Sequence, residues 1–220
     1  MRIKDLNIEW LGHACFRIVV DGKVIYTDPF KIKQQKVKAD YVLITHEHYD
    51  HLSLEDLKKV VKDGTTIVAT ADCQSTLNRL KEKIDIKIAM PEAKFDFNIF
   101  SVECLPAYNT NKHFHQKIHA WVGYLIKTKD FCIYHAGDTD VIPEQRDLAK
   151  YSEKLIMLLP VGGTFTMDWK EAAELVKEIK PYLAIPMHYG KIVGDKQDAL
   201  NFVSEVEKSG LKAIMLEEEK

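Results

Sequence analysis

His46, His48, Asp50 and His51 fall within six consecutive residues, in the run Ile44-Thr45-His46-Glu47-His48-Tyr49-Asp50-His51-Leu52-Ser53. Imidazole nitrogen and carboxylate oxygen are the usual ligands of zinc and related divalent ions. The competing reading is a solvated loop that happens to be histidine-rich. Against it, the apolar run Tyr41-Val42-Leu43-Ile44 leads straight into the cluster, as a buried strand does when it delivers functional groups to the loop at its end. On a tight turn alternate residues can face the same side, so His46 and His48 could share one ion while Asp50 and His51 reach a second. Ser53 is a good N-cap and Asp56 sits at the capping-box position, so a helix is expected immediately afterwards.

His46-Glu47-His48-Tyr49-Asp50-His51 matches the H-x-H-x-D-H pattern, and the chain resembles the metallo-β-lactamase superfamily of metal-dependent hydrolases. The resemblance implies further ligands downstream. Asp138, in Tyr134-His135-Ala136-Gly137-Asp138-Thr139-Asp140, looks like the carboxylate that bridges two metals. His188, ending Leu183-Ala184-Ile185-Pro186-Met187-His188, resembles the family's last ligand. The remaining histidine departs from the common pattern, because none follows directly on Ser101 to Ala107. His115 is favoured, His113 is the alternative, and His119 is expected to be exposed or to act indirectly.

On this resemblance His46, His48 and His115 hold one ion, Asp50, His51 and His188 the other, and Asp138 bridges them. Asp50 also passes a proton to the leaving group. The expected cofactors are two divalent ions per chain, zinc or manganese first, with iron, cobalt or nickel compatible with a mixed His/Asp set. Segments Glu9 to Phe16, Tyr26 to Phe30 and Leu159 to Asp168 are similar to one branch of the superfamily, related to the ascorbate-6-phosphate lactonases. The implied activity is attack of a metal-activated hydroxide on a small phosphoester, lactone or other ester.

The elements that must position these groups read as α/β. Strands are expected at Ile8 to Leu11, Ala14 to Val20 and Val24 to Thr27, with Asp21-Gly22 as a hairpin turn. Helices at Leu54 to Val61 and Cys73 to Lys81 alternate with strands at Ile67 to Thr70 and Ile86 to Ala89. Further strands follow at Phe95 to Phe97, Ser101 to Leu105, Trp121 to Lys127, Phe131 to Tyr134, Leu155 to Leu159 and Leu183 to Pro186. Helices Trp169 to Ile179 and Lys196 to Lys208 and a closing strand Leu211 to Leu216 complete the pattern. Two β-rich blocks with helices imply two packed layers. The resemblance narrows this to an αβ/βα four-layer sandwich of two mixed β-sheets, a single hydrolase domain over residues 1–220.

Thirty-one Lys+Arg against 33 Asp+Glu leave a net charge of −2, so no global field favours nucleic acid. The basic runs at Lys31 to Lys38 and Lys81 to Lys83 read as solvated surface, with a bias of the site mouth toward anionic substrates as the alternative. Cys15, Cys73, Cys104 and Cys132 are scattered, form no C-x-x-C pair and read as free thiols. With neither a signal segment nor a membrane-length apolar stretch, a cytoplasmic protein acting on a small molecule is expected. Oligomeric state is not legible.

Around the proposed ligands, Asp28 is a candidate carboxylate partner for an imidazole, or simply a turn before Pro29. His13 and His135 follow apolar runs and are structural or near the site. Gly162-Gly163-Thr164 could offer backbone N–H groups to an anion or form a tight turn. Tyr189 and Asn109 are candidates for steadying an oxyanion. The rival functions are a nucleic-acid-processing phosphodiesterase, disfavoured by the balanced charge, and a non-catalytic metal-binding protein. No G-x-S-x-G elbow supports a serine nucleophile.

Overall fold

The computed structural model describes residues 1–219 and divides into two compact units, residues 1–90 with 217–219, and residues 91–216. The first unit holds a seven-stranded sheet whose spatial order follows the chain. Its strands are β1 (Arg2–Ile3), β2 (Leu6–Gly12), β3 (Cys15–Val20), β4 (Lys23–Thr27), β5 (Tyr41–Ile44), β6 (Thr66–Thr70) and β7 (Asp85–Ala89). Pairing is antiparallel from β1 to β4 and parallel from β4 to β7. The β3–β4 hairpin turns at Asp21 (φ 45°) and Gly22 (φ 76°), the two left-handed residues that a type I′ turn requires.

Helix α1 (Leu54–Val60) follows β5, and α2 (Gln74–Leu77) follows β6. Val42, Leu43 and Ile44 are all fully buried, as expected of a central parallel strand covered on both faces. Leu57 and Val60 of α1 join Val42, Ile44, Ile67 and Leu77 in one apolar cluster. At about 1.5–3 kcal/mol for each fully buried large aliphatic side chain, this burial fixes where β5 ends. Ser53 caps α1 as expected, its hydroxyl accepting from the Asp56 N–H. The helix expected over Cys73 to Lys81 is shorter. After Leu77 the hydrogen bonds tighten to i→i−3, from Arg79 to Thr76 and from Leu80 to Leu77, and the helix ends.

The second unit holds a six-stranded sheet, again in chain order: β8 (Lys94–Asp96), β9 (Ser101–Pro106), β10 (Val122–Lys127), β11 (Cys132–His135), β12 (Leu155–Pro160) and β13 (Leu183–Met187). Pairing is antiparallel from β8 to β11 and parallel from β11 to β13. A 3-10 helix, Pro143–Lys154, was not foreseen. Helix α3 (Trp169–Ile179) and helix α4 (Lys196–Lys208) have the expected boundaries, with Asp168 and Asp195 as capping-box N-caps.

The expected closing strand Leu211 to Leu216 reduces to a single bridge between Ala213 and Ala184. The Ala184 N–H donates to Lys212 and its carbonyl accepts from Ile214. Two residues on, the next outward-facing position of β13 is Pro186, which has no N–H to offer, so the ladder stops.

The four cysteines are free and buried, as expected. Among the described residues no helix is long and apolar enough to cross a membrane.

Candidate functional site

In each sheet the chemistry gathers at one end. In the first unit β2, β4 and β5 run in the same direction, because β3 is antiparallel to both β2 and β4, and β4 is parallel to β5. Their C-terminal ends therefore deliver His13, Asp28 and the Thr45–His51 loop to one edge. Loops beyond the C-termini of parallel strands are where α/β sheets place ligands. In the second unit β9 likewise runs with β11, β12 and β13. Its following loop carries His115, that after β11 carries Asp138, and His188 follows β13 directly.

Hydrogen bonds in the first unit settle which imidazole nitrogens are available. The Thr45 hydroxyl donates to Asp28 Oδ2 at 2.8 Å, which leaves its lone pairs for His46 Nδ1–H at 2.9 Å. His46 Nε2 then carries its lone pair, and it lies 3.1 Å from His48 Nδ1. His51 Nδ1 lies 2.8 Å from Asp28 Oδ2; an ionised carboxylate only accepts, so His51 Nδ1–H donates and Nε2 carries the lone pair. That Nε2 is 3.8 Å from Asp50 Oδ2. Asp28 is thus the carboxylate partner considered from sequence, and it also accepts the Thr45 backbone N–H at 2.9 Å.

In the second unit one carboxylate oxygen meets two imidazoles. Asp138 Oδ2 lies 3.2 Å from His115 Nε2 and 3.2 Å from His188 Nε2. His115 Nδ1 donates to the Phe165 carbonyl at 3.0 Å, which turns Nε2 toward Asp138. His115 is buried, whereas His113 is exposed; His119 is exposed as expected, its ring 4.5 Å from that of Trp121. The Asn109 amide donates one hydrogen to Phe165 O at 2.7 Å. Gly162-Gly163-Thr164 forms the tight turn. Gly163 N–H bonds to Met167 O, and Phe165 and Thr166 N–H both bond to Gly163 O.

Sequence reasoning missed the residues that pin the His115 loop. Asp140, 2% exposed, accepts from Thr110 N–H at 2.8 Å and from the Lys112 ammonium, while Thr139 exchanges hydrogen bonds with the Tyr108 backbone. The signal in the sequence is the second acid of Asp138-Thr139-Asp140. At the far side of the same loop the Tyr108 hydroxyl donates to Glu144 at 2.9 Å. Burial raises the Glu144 pKa, but the Lys117 ammonium and the Tyr108 hydroxyl outweigh it and hold the carboxyl below its ordinary range.

His13 (φ 53°) and Asp28 (φ 36°) in the first unit, and His115 (φ 51°) and His188 (φ 57°) in the second, all have left-handed backbones. This conformation costs a non-glycine residue about 1–3 kcal/mol and clusters at functional positions. The donor set fits divalent metal. It comprises imidazoles whose rear nitrogen is committed to Thr45, Asp28 or Phe165, together with two buried carboxylates, and it matches the ligand chemistry of such ions.

Two mixed β-sheets with flanking helices, and His/Asp groups on the loops after parallel strands, define a hydrolase of the αβ/βα metal-dependent class. Residues 7–188 match the family model for the beta-lactamase superfamily domain. The chain belongs to the metallo-β-lactamase superfamily and is a metal-dependent hydrolase. A UPF0173 metal-dependent hydrolase of Methanopyrus kandleri is 34% identical over 96% of this chain and 97% of its own. A crystal structure assigned as a metal-dependent hydrolase from Parabacteroides distasonis has a TM-score of 0.83 and 28% identity, covering 98% of this chain and 94% of its own. Igni18, a metallo hydrolase of Ignicoccus hospitalis, shares the fold at a TM-score of 0.79 and 24% identity, over 98% of this chain and 96% of its own.

Proposed function

We propose that His46, His48, Asp50, His51, His115, Asp138 and His188 hold two divalent ions, zinc or manganese. We further propose that residues 1–220 act as one cytoplasmic domain hydrolysing a small phosphoester, lactone or other ester. The observation that carries this reading is the committed rear nitrogens. Thr45, Asp28 and the Phe165 carbonyl each fix a tautomer that leaves His46, His51 and His115 with a lone pair on Nε2. Metal-binding histidines almost always hold their other ring nitrogen in such a hydrogen bond.

Bound divalent ions would lower the pKa of water and polarise the substrate oxygen. The protein's own part is orientation and proton handling. Asp28 and Thr45 hold two imidazoles rigid, and the Phe165 carbonyl fixes the His115 ring. Asp50, which is buried, would take a proton from the attacking water on a carboxylate oxygen and pass it to the leaving oxygen. An anionic substrate is favoured by Lys31, whose ammonium makes no ion pair among the described residues and sits 5.0 Å from the Phe30 ring centroid. Phe30 in turn packs 5.8 Å from Tyr49, which is 65% exposed between His48 and Asp50.

The test is metal content of the purified protein, paired with turnover of a chromogenic phosphodiester and a lactone panel after zinc or manganese loading. Two ions per chain and turnover abolished by Asp138→Ala support the reading. No bound metal and no turnover under any loading overturn it.

A further inference from the structure

We propose that His13 is a positioning residue for Asp50, donating a hydrogen bond from Nε2 that sets the orientation of this carboxylate toward metal. The inference rests on the functional reading above, and it concerns a residue outside the H-x-H-x-D-H pattern.

His13 is fully buried at the tip of the β2–β3 hairpin, and its Nε2 lies 3.0 Å from Asp50 Oδ2. An ionised carboxylate has only lone pairs to offer, so the proton of this bond belongs to the imidazole. A nitrogen that carries this proton has no lone pair for a metal. Through Nε2, His13 therefore acts on the carboxylate and does not itself coordinate.

The surroundings are built to hold the ring there. The Trp10 indole N–H donates to the His13 carbonyl at 2.9 Å, and the Thr27 hydroxyl donates to the Ala14 carbonyl at 3.0 Å. The ring sits 5.5 Å from both the Phe30 and the His51 rings, centroid to centroid. The hairpin already has a glycine, Gly12 at φ 104°, yet the left-handed φ of 53° at the next position is carried by a histidine. A turn alone favours glycine or asparagine there. The strain is accounted for by what the side chain reaches.

His13 also completes a pattern. Asp28 stands behind the imidazole of His51 and His13 stands behind the carboxylate of Asp50, so each of these adjacent residues has its own buried partner. Groups of this kind typically change metal affinity 10- to 100-fold when removed.

The experiment uses full-length protein stripped of metal and titrated with Mn²⁺ or Zn²⁺ alone against a competing metallochromic dye, with melting temperatures of the metal-free forms measured alongside. His13→Ala is expected to weaken metal binding by about 10- to 100-fold. His13→Gln, which places an amide N–H in much the same position, is expected to recover most of that loss. Wild-type metal affinity in His13→Ala, whatever its melting temperature, overturns the proposal. So does a His13→Gln protein that melts like wild type but binds as weakly as His13→Ala, since the nitrogen would then be a ligand. A wild-type protein that binds no ion at all overturns the hydrolase reading itself, which separates the two failures.

Discussion

Asp28 stands directly behind His51, with Oδ2 2.8 Å from Nδ1 and both side chains fully buried. The same carboxylate receives the Thr45 hydroxyl and the Thr45 backbone N–H, so one acid organises the first turn of the His46–His51 loop. Its backbone φ of 36° lies in the left-handed region, which asparagine tolerates well. Asp28→Asn should therefore keep the fold and remove only the charge. The expected outcome is an unchanged far-ultraviolet circular dichroism spectrum with metal affinity reduced about 10- to 100-fold, read by dye competition. Unaltered affinity would show that the carboxylate is only a turn element.

Burial and the Phe165 carbonyl favour His115 over His113 as the proposed ligand. His115 Nε2 reaches Asp138 at 3.2 Å, and His113 is exposed on the same loop. His113→Ala should leave metal content and turnover within about twofold, as for an ordinary surface substitution. His115→Ala should lose bound metal. The reverse result would reassign the ligand.

The histidine-rich loop after β5 was legible because its information is local: an apolar strand followed by ligand-type side chains is written in consecutive residues. The helices Trp169–Ile179 and Lys196–Lys208 were legible for the same reason, through an N-cap acid and a defined stop. Their supports were legible only as open alternatives, Asp28 as an imidazole partner or a turn and His13 as structural or near the site. Asp28 and His13 reach the His46–His51 loop only because β2, β4 and β5 run the same way, and strand direction is absent from any one segment. The Leu211 to Leu216 strand failed for a related reason. Its apolar content is strand-like, but its partner β13 presents Pro186 where the next donor should be.

Two glycines set how closely the His188 loop approaches the turn after β12. A Cβ on Gly162 would lie 2.5 Å from the His188 carbonyl oxygen, and one on Gly194 would lie 2.6 Å from Gly162 Cα. Both contacts are with backbone, which cannot swing aside. Gly162→Ala should destabilise by about 1–3 kcal/mol and displace His188, lowering metal content as well as the melting temperature. Equal metal binding and an unchanged melt would show that the loop relaxes freely.

Acid sensitivity offers a check on the support for β5 and α1 that does not depend on metal. Asp56 is 4% exposed, and it accepts from the backbone N–H groups of Lys31 and Ile32, the Ser53 hydroxyl and the Lys59 ammonium. Burial raises its pKa, but these hydrogen bonds outweigh that cost and hold it below its ordinary value of 3.8. A carboxyl with a depressed folded-state pKa stabilises the protein fully above its unfolded value, and this contribution is lost as pH falls through the folded one. Hydrogen bonds to a charged group contribute about 1.5–3 kcal/mol, so Asp56→Asn should cost about 2 kcal/mol at pH 7. In urea titrations of metal-free protein, the gap between wild type and Asp56→Asn should close as pH is lowered beneath 3.8. A gap that stays constant with pH would mean that Asp56 acts through shape alone and that its charge contributes nothing.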